Sequence, residues 1–311
     1  MLLAVVVLAN VGERDATVTI VAYACFVSTA LFLGVASAYA SLVGPGPGDG
    51  APSLRAAIGA AIEGLAPVFA GLVLLPPARR LAARRLPQFR AESPVHAVAL
   101  GFYVLILLVQ AGGQVAIDQV KAIGQGGSPS VAFIIGTNQL PMVLVSIAGI
   151  GLFIRRTPRQ ALARLGLYWP GWRWIAAGAA GAVVLLFVGF GFDTLMALLT
   201  PEQNREIQQV TDQLFRSAAS VQGFVIIGLA AGIGEEIFFR GAVQPRFGIL
   251  LASLLFAALH TQYGISIATA QIFFIGVFLG LLRNRAGLLP AIVAHAGYDI
   301  LAGVLPLLLP K

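Results

Sequence analysis

Two of the three histidines in this 311-residue chain fall in its last quarter, among ionisable residues at regular spacings. The set is Glu235, Glu236, Arg240, His260, His295 and Asp299. Glu236 and Arg240 are four apart, as are His295 and Asp299, so each pair can meet on one face of a helix. Phe256 and His260 share that spacing, which packs an aromatic ring one turn from the histidine. Neighbouring residues on a helix point about 100° apart, so Glu235 and Glu236 cannot both face one target. Glu236 has a natural partner in Arg240. Glu235 is then the freer carboxylate, suited to take a proton from water as a general base. One histidine would share that proton or orient the water, and the other would stabilise an oxyanion. Activated water beside an oxyanion donor is the chemistry of amide hydrolysis.

The elements that hold these residues are membrane spans. Hydrophobic residues make up 58% of the chain and charged residues only 11%, with a mean hydropathy of +0.89. Soluble chains carry about 25% charged residues. Without water, every backbone N–H and C=O in a span must be satisfied within it, which dictates helices. The fold class is all-α, a polytopic transmembrane helical bundle of about eight or nine spans, at about 20 residues per crossing. They read at roughly 17–43, 53–76, 95–112, 131–154, 172–199, 220–245, 249–262, 264–282 and 288–309. An ionisable residue at the centre of a span costs roughly 2.5–3.5 kcal/mol, so several in one region demand a reason. At about 1.5 Å of rise per residue, Glu235, His260 and His295 lie roughly 15, 16 and 10 Å into their spans. Three helices thus bring such groups to similar depth, as a single buried site requires.

The net charge of +7 comes almost wholly from arginine. In a soluble protein it would suggest nucleic acid; here the arginines crowd short loops, and the positive-inside rule accounts for them. Arg79, Arg80, Arg84, Arg85 and Arg90 mark one loop, Arg155, Arg156, Arg159 and Arg164 a second, and Arg283 and Arg285 a third. The span count puts all three on one side, the cytoplasmic one, and the C-terminus on the other. The single cysteine, Cys25, excludes an internal disulfide. Met1–Asn10 is apolar but too short to span, and it lacks a basic n-region, so no cleaved signal peptide is read there. Gly44–Gly50 (GPGPGDG) reads as a loop. The polar 201–219 segment has apolar residues at helical spacing and reads as an interfacial helix, with substrate contact as the sharper alternative.

Three motifs resemble a known family. Gly234-Glu235-Glu236-Ile237-Phe238-Phe239-Arg240 matches the EExxxR motif of the CPBP intramembrane endopeptidases, which include CAAX proteases and bacteriocin-processing enzymes and are also called Abi. Phe256-Ala257-Ala258-Leu259-His260 matches its FxxxH motif, and His295-Ala296-Gly297-Tyr298-Asp299 its HxxxN or HxxxD motif. The resemblance divides the chain into N-terminal spans without motif, 1–160, and a catalytic transmembrane core, 161–311. It implies that Glu235 is the catalytic glutamate, that His260 helps activate the water, and that His295 and Asp299 form the oxyanion hole. Glu236, Arg240 and Phe256 would support them. The CAAX-processing members typically carry Asn at the last position. An ionised Asp299 cannot donate a hydrogen bond, so it either stays protonated or orients His295. The implied partners are a peptide or protein substrate, lipidated or membrane-bound, and the bilayer itself. The Arg-, Ala- and Gly-rich composition reads as bacterial, hence an inner-membrane location with the site toward the cytoplasm.

Zinc stays open as a cofactor. A catalytic zinc wants about three protein ligands, and Glu235, His260 and His295 would supply them as in a metalloprotease. There is no HExxH, which favours a mechanism with no obligatory metal. A catalytically inactive immunity or scaffold relative would keep the same motifs. A proton- or ion-coupled transporter is the alternative from another class, since intramembrane carboxylates also mark ion paths. Glu63 and Asp193 would favour it, but each reads better as a solvated or locally paired residue, and no inverted repeat is visible. Gly46-Pro47-Gly48-Asp49 and Tyr298-Asp299 imitate the GxGD and YD motifs of aspartyl intramembrane proteases in reversed order. His96 reads as interfacial, and Gly276 with Gly280 as a helix-packing face.

Overall fold

The computed structural model describes residues 1–43, 52–86, 88–116 and 128–308. The GPGPGDG stretch and most of the 113–130 connection lie outside the described residues. Among the described residues the secondary structure is helical, with no named strand. Eight stretches are long and apolar enough to cross a bilayer: Ala16–Val43, Leu54–Leu72, Pro94–Ala116, Val131–Gly149, Trp172–Leu199, Val221–Ala258, Ile267–Ala286 and Leu288–Leu308. The chain is a polytopic helical bundle and an integral membrane protein.

One stretch differs from the spans read in the sequence. The 220–245 and 249–262 spans join into the 38-residue run Val221–Ala258. A straight rod of that length would extend about 57 Å, nearly twice the hydrocarbon core of about 30 Å. The run is broken instead at Gly248, with φ 80° and ψ 173°, backbone angles open mainly to glycine. The break divides the run into two arms, and the second, 249–258, at about 15 Å is too short to cross the hydrocarbon core by itself.

The chain divides into two compact units, 1–122 and 123–311. In the first, α1 (Leu2–Gly12), α2 (Ala16–Val43), α3 (Leu54–Leu72), α4 (Pro76–Arg85) and α5 (Pro94–Ala116) follow in order. Glu63 on α3 is buried at 1% exposure. The Ser37 hydroxyl donates to its Oε1 at 2.8 Å. Glycine at 112 leaves room for it: a Cβ there would lie 2.5 Å from Glu63 Cγ. Glu63, the lone carboxylate of its span, is therefore locally paired. His96 lies in the first turn of α5, where its Nδ1 accepts from the Arg90 backbone N–H at 2.9 Å.

The second unit holds α6 (Val131–Gly149), α7 (Pro158–Leu165), α8 (Trp172–Leu199), α9 (Pro201–Phe215), α10 (Val221–Glu236), α11 (Gln244–Ala258), α12 (Ile267–Ala286) and α13 (Leu288–Leu308). The helix at 131–149, grouped above with the motif-free spans, falls in this motif-bearing unit. α13 packs against both α8 and α10, and α11 packs on α12. Gly276 and Gly280 form the α11–α12 contact: a Cβ on Gly276 would lie 2.9 Å from Ser253 Cβ, and Gln244 Nε2 donates to the Gly280 carbonyl at 2.9 Å. Small residues let membrane helices approach this closely.

Arginines from separate loops gather at one end of this unit. Arg164 donates to the Gly241 carbonyl at 3.0 Å. Burial, reinforced by Arg246, Arg156, Arg283 and Arg155, lowers its pKa to about 9. The loops at 155–164 and 283–285 therefore share a side, as the one-sided arginine pattern requires.

Candidate active site

The EExxxR segment straddles a change of helix type. α10 ends at Glu236, and a π turn, Ile237–Val243, follows. Such turns concentrate at functional sites because they alter the facing of side chains along a helix. Glu236 is wholly buried, and its Oε1 serves two partners. Arg240 Nη1 stands 3.0 Å away, and His295 Nδ1 stands 2.8 Å away. Arg240 also donates to the Gly276 carbonyl at 3.1 Å and lies 4.5 Å from the Phe256 ring centroid. Such contacts offset part of the cost of burying the ion pair, while Glu236 Oε2 has no hydrogen-bond partner. The spacing anticipated the arginine; it did not reveal that the same oxygen also fixes a histidine from α13.

His260 sits just past the end of α11, and its Nδ1 lies 2.7 Å from the Phe256 carbonyl oxygen. A carbonyl only accepts, so Nδ1 carries the proton, and in the neutral ring Nε2 presents a lone pair. The Phe256 ring packs against both imidazoles, with centroids 4.6 Å from His260 and 5.8 Å from His295. It thus spaces the two histidines. His295 Nε2 faces Asp299 Oδ2 at 3.6 Å and Glu235 Oε2 at 4.0 Å. Glu235 Oε2 is buried without a hydrogen-bond partner. The three motifs therefore converge on one place, with Glu235 and Glu236 on different sides of the His295 ring.

Glu235, His260, His295 and Asp299 line a cavity of about 900 Å³, large enough for a substantial ligand. Asn204, Gln208, Thr211 and Asp212 of α9 also line it, as does Asp193 of α8. The 201–219 helix thus contributes a wall of the cavity. Gln139 of α6 is a lining residue that the motif reading passed over. Its signal was a Thr137-Asn138-Gln139 triplet inside an otherwise apolar span.

Among the described residues no three His, Cys, Asp or Glu groups converge closely enough to hold a metal ion. Glu235, His260 and His295 do not fit a three-ligand zinc site in this arrangement.

Comparison with known proteins bears on the same stretch. Residues 217–301 match the family model described as type II CAAX prenyl endopeptidase Rce1-like. The uncharacterized protein YpbD of Bacillus subtilis is 27% identical over 122 residues, 39% of this chain and 61% of that protein. An uncharacterized 24.3 kDa protein of Escherichia coli is 29% identical over 125 residues, 36% of this chain and 56% of that protein. The chain thus spans about three fifths of the length of these curated relatives. No solved structure matches significantly. The matched residues 217–301 include Glu235, His260, His295 and Asp299, so the likeness to that family falls on the stretch that builds the cavity site.

Proposed function

We propose that this protein is an intramembrane endopeptidase that hydrolyses a peptide bond with water activated by Glu235. The observation that carries the reading is Glu235 Oε2, a buried carboxylate oxygen without a partner, in the cavity that also holds His260, His295 and Asp299. Glu235 takes a proton from water as the oxygen attacks the carbonyl carbon. His260 Nε2 holds the second water proton. The developing oxyanion is met by His295 Nε2. Its Nδ1 already donates to Glu236, so the ring carries both protons in this role, and the Glu236 carboxylate offsets that charge. Glu235 then passes its proton to the leaving nitrogen as the C–N bond breaks, giving a carboxylate and an amine.

The substrate is a peptide or protein segment delivered from the bilayer, lipidated or membrane-bound, as the family description suggests. The arginine-rich loops support a site toward the cytoplasmic side, and the Arg-, Ala- and Gly-rich composition supports a bacterial inner membrane. The test compares purified wild type with Glu235→Gln and His260→Ala on a quenched prenyl-peptide panel, with and without chelator. Cleavage by wild type alone, unaffected by chelator, is expected. Cleavage retained by folded Glu235→Gln would refute the assignment of the base, and restoration by zinc after chelation would refute the metal-free route.

A further inference from the structure

Gln139 enters the cavity from a span that carries none of the three motifs. It ends the π turn Ile135–Gln139. Its stem is wedged against the turn that delivers Glu235: a Cβ on Gly234 would lie 2.8 Å from Gln139 Cβ and 3.1 Å from its Cα. Only glycine lets the two helices meet this closely at that position. Gln139 is buried at 8% exposure, it lines the cavity, and its Oε1 has no hydrogen-bond partner.

An unpaired buried acceptor destabilises the folded state unless something binds it. Such atoms in a ligand cavity mark where a donor is received. A peptide lying in the cavity offers backbone N–H groups that have left water and need acceptors. The α6 helix is anchored one residue from Glu235, so the Gln139 carboxamide is held at a fixed place relative to the base. We infer that Gln139 is a substrate-positioning residue whose side-chain carbonyl accepts a hydrogen bond from a backbone N–H of the bound peptide. The inference rests on the peptidase reading for the nature of the ligand. It adds a residue from outside the motifs and a specific contact.

The test uses the full-length protein in nanodiscs. The probe is a fluorescent farnesylated peptide ending in a CAAX sequence. A series of analogues replaces one backbone N–H at a time with an ester oxygen. Binding is measured to wild type, Gln139→Met, which keeps the bulk but removes the acceptor, and Gln139→Glu, which keeps an acceptor. At one position the ester is expected to bind wild type about tenfold more weakly than the amide, the effect of one buried hydrogen bond. Gln139→Met then binds amide and ester alike, and Gln139→Glu retains the preference. A packing role would weaken amide and ester binding equally and leave the ester penalty in place.

An ester penalty unchanged in Gln139→Met at every position, or no binding of any probe, would overturn the inference. Cleavage of the all-amide peptide is measured in parallel. Cleavage that depends on Glu235 but not Gln139 removes this contact and leaves the peptidase standing. Gln139-dependent binding without cleavage does the reverse.

Discussion

His295 Nδ1 lies 2.8 Å from Glu236 Oε1, and this contact separates the work of two adjacent glutamates. Glu236 Oε1 is held between Arg240 and His295, whereas Glu235 Oε2 has no hydrogen-bond partner and only a 4.0 Å approach to His295 Nε2. Removing one member of a buried pair costs about 3–5 kcal/mol. Glu236→Gln is therefore expected to lower stability by several kcal/mol and to reduce activity at least about tenfold through a displaced His295. Glu235→Gln should abolish cleavage while leaving the unfolding midpoint unchanged or higher. Thermal unfolding and peptide cleavage on the same preparations check both. Equal destabilisation by the two variants would contradict the division.

Asp299 stands where the CAAX-processing enzymes carry a neutral carboxamide. Its Oδ2 is 3.6 Å from His295 Nε2, on the cavity side of the ring. Glu236 already fixes the ring through Nδ1, so Asp299 is not needed to orient it. One oxyanion donor is worth about 10²–10³ in kcat. Asp299→Asn, which supplies an N–H donor at this place, is expected to raise kcat by about tenfold, less than that full range because His295 already serves the oxyanion, with little change in KM. A fall in kcat would instead show that the Asp299 carboxylate matters for keeping His295 protonated.

The sequence made the spans legible because hydropathy and length are local properties. The convergence of Glu235, His260, His295 and Asp299 was legible because helical spacing and burial cost both point to one site. Three features were not. The sharing of Glu236 between Arg240 and His295 spans 59 positions and depends on how α10 and α13 pack. The π turns at 135–139 and 237–243 have no periodic signature. Gln139 reached the cavity through contact with Gly234, and its polar triplet alone could not say which helix it would face. The break at Gly248 was readable as a gap between spans, though not as one bent run.

Gly234 sets the approach of α6 to the helix that carries Glu235. Gly234→Ala places a methyl group 2.8 Å from Gln139 Cβ and 3.1 Å from its Cα, so backbone must move. Overpacking of this kind costs about 1–3 kcal/mol. The variant is expected to lose stability of that order and most of its activity. Gly191→Ala serves as the control, since a Cβ there has nothing within 4 Å. Melting temperatures in detergent and cleavage rates distinguish the two; equal tolerance of both changes would argue against close α6–α10 packing at the site.

The charged lining of the cavity is mostly acidic. Asp193, Asp212, Glu235 and Asp299 line it beside His260 and His295, and no Lys or Arg is found among its described lining residues. A peptide with lysine near the scissile bond is therefore expected to show a higher kcat/KM than the same peptide with aspartate, by at least about tenfold, since a like charge in such a cleft costs more than in water. Asp212→Asn should reduce that ratio through KM while leaving the kcat of a neutral peptide unchanged, because Asp212 sits on α9 rather than in the motif cluster. Raising the salt concentration should also narrow the ratio, more for charges near the mouth than for those shielded inside. Competition between the lysine and aspartate peptides in one reaction measures the ratio directly. Equal cleavage of the two would mean that the acidic lining does not select the substrate.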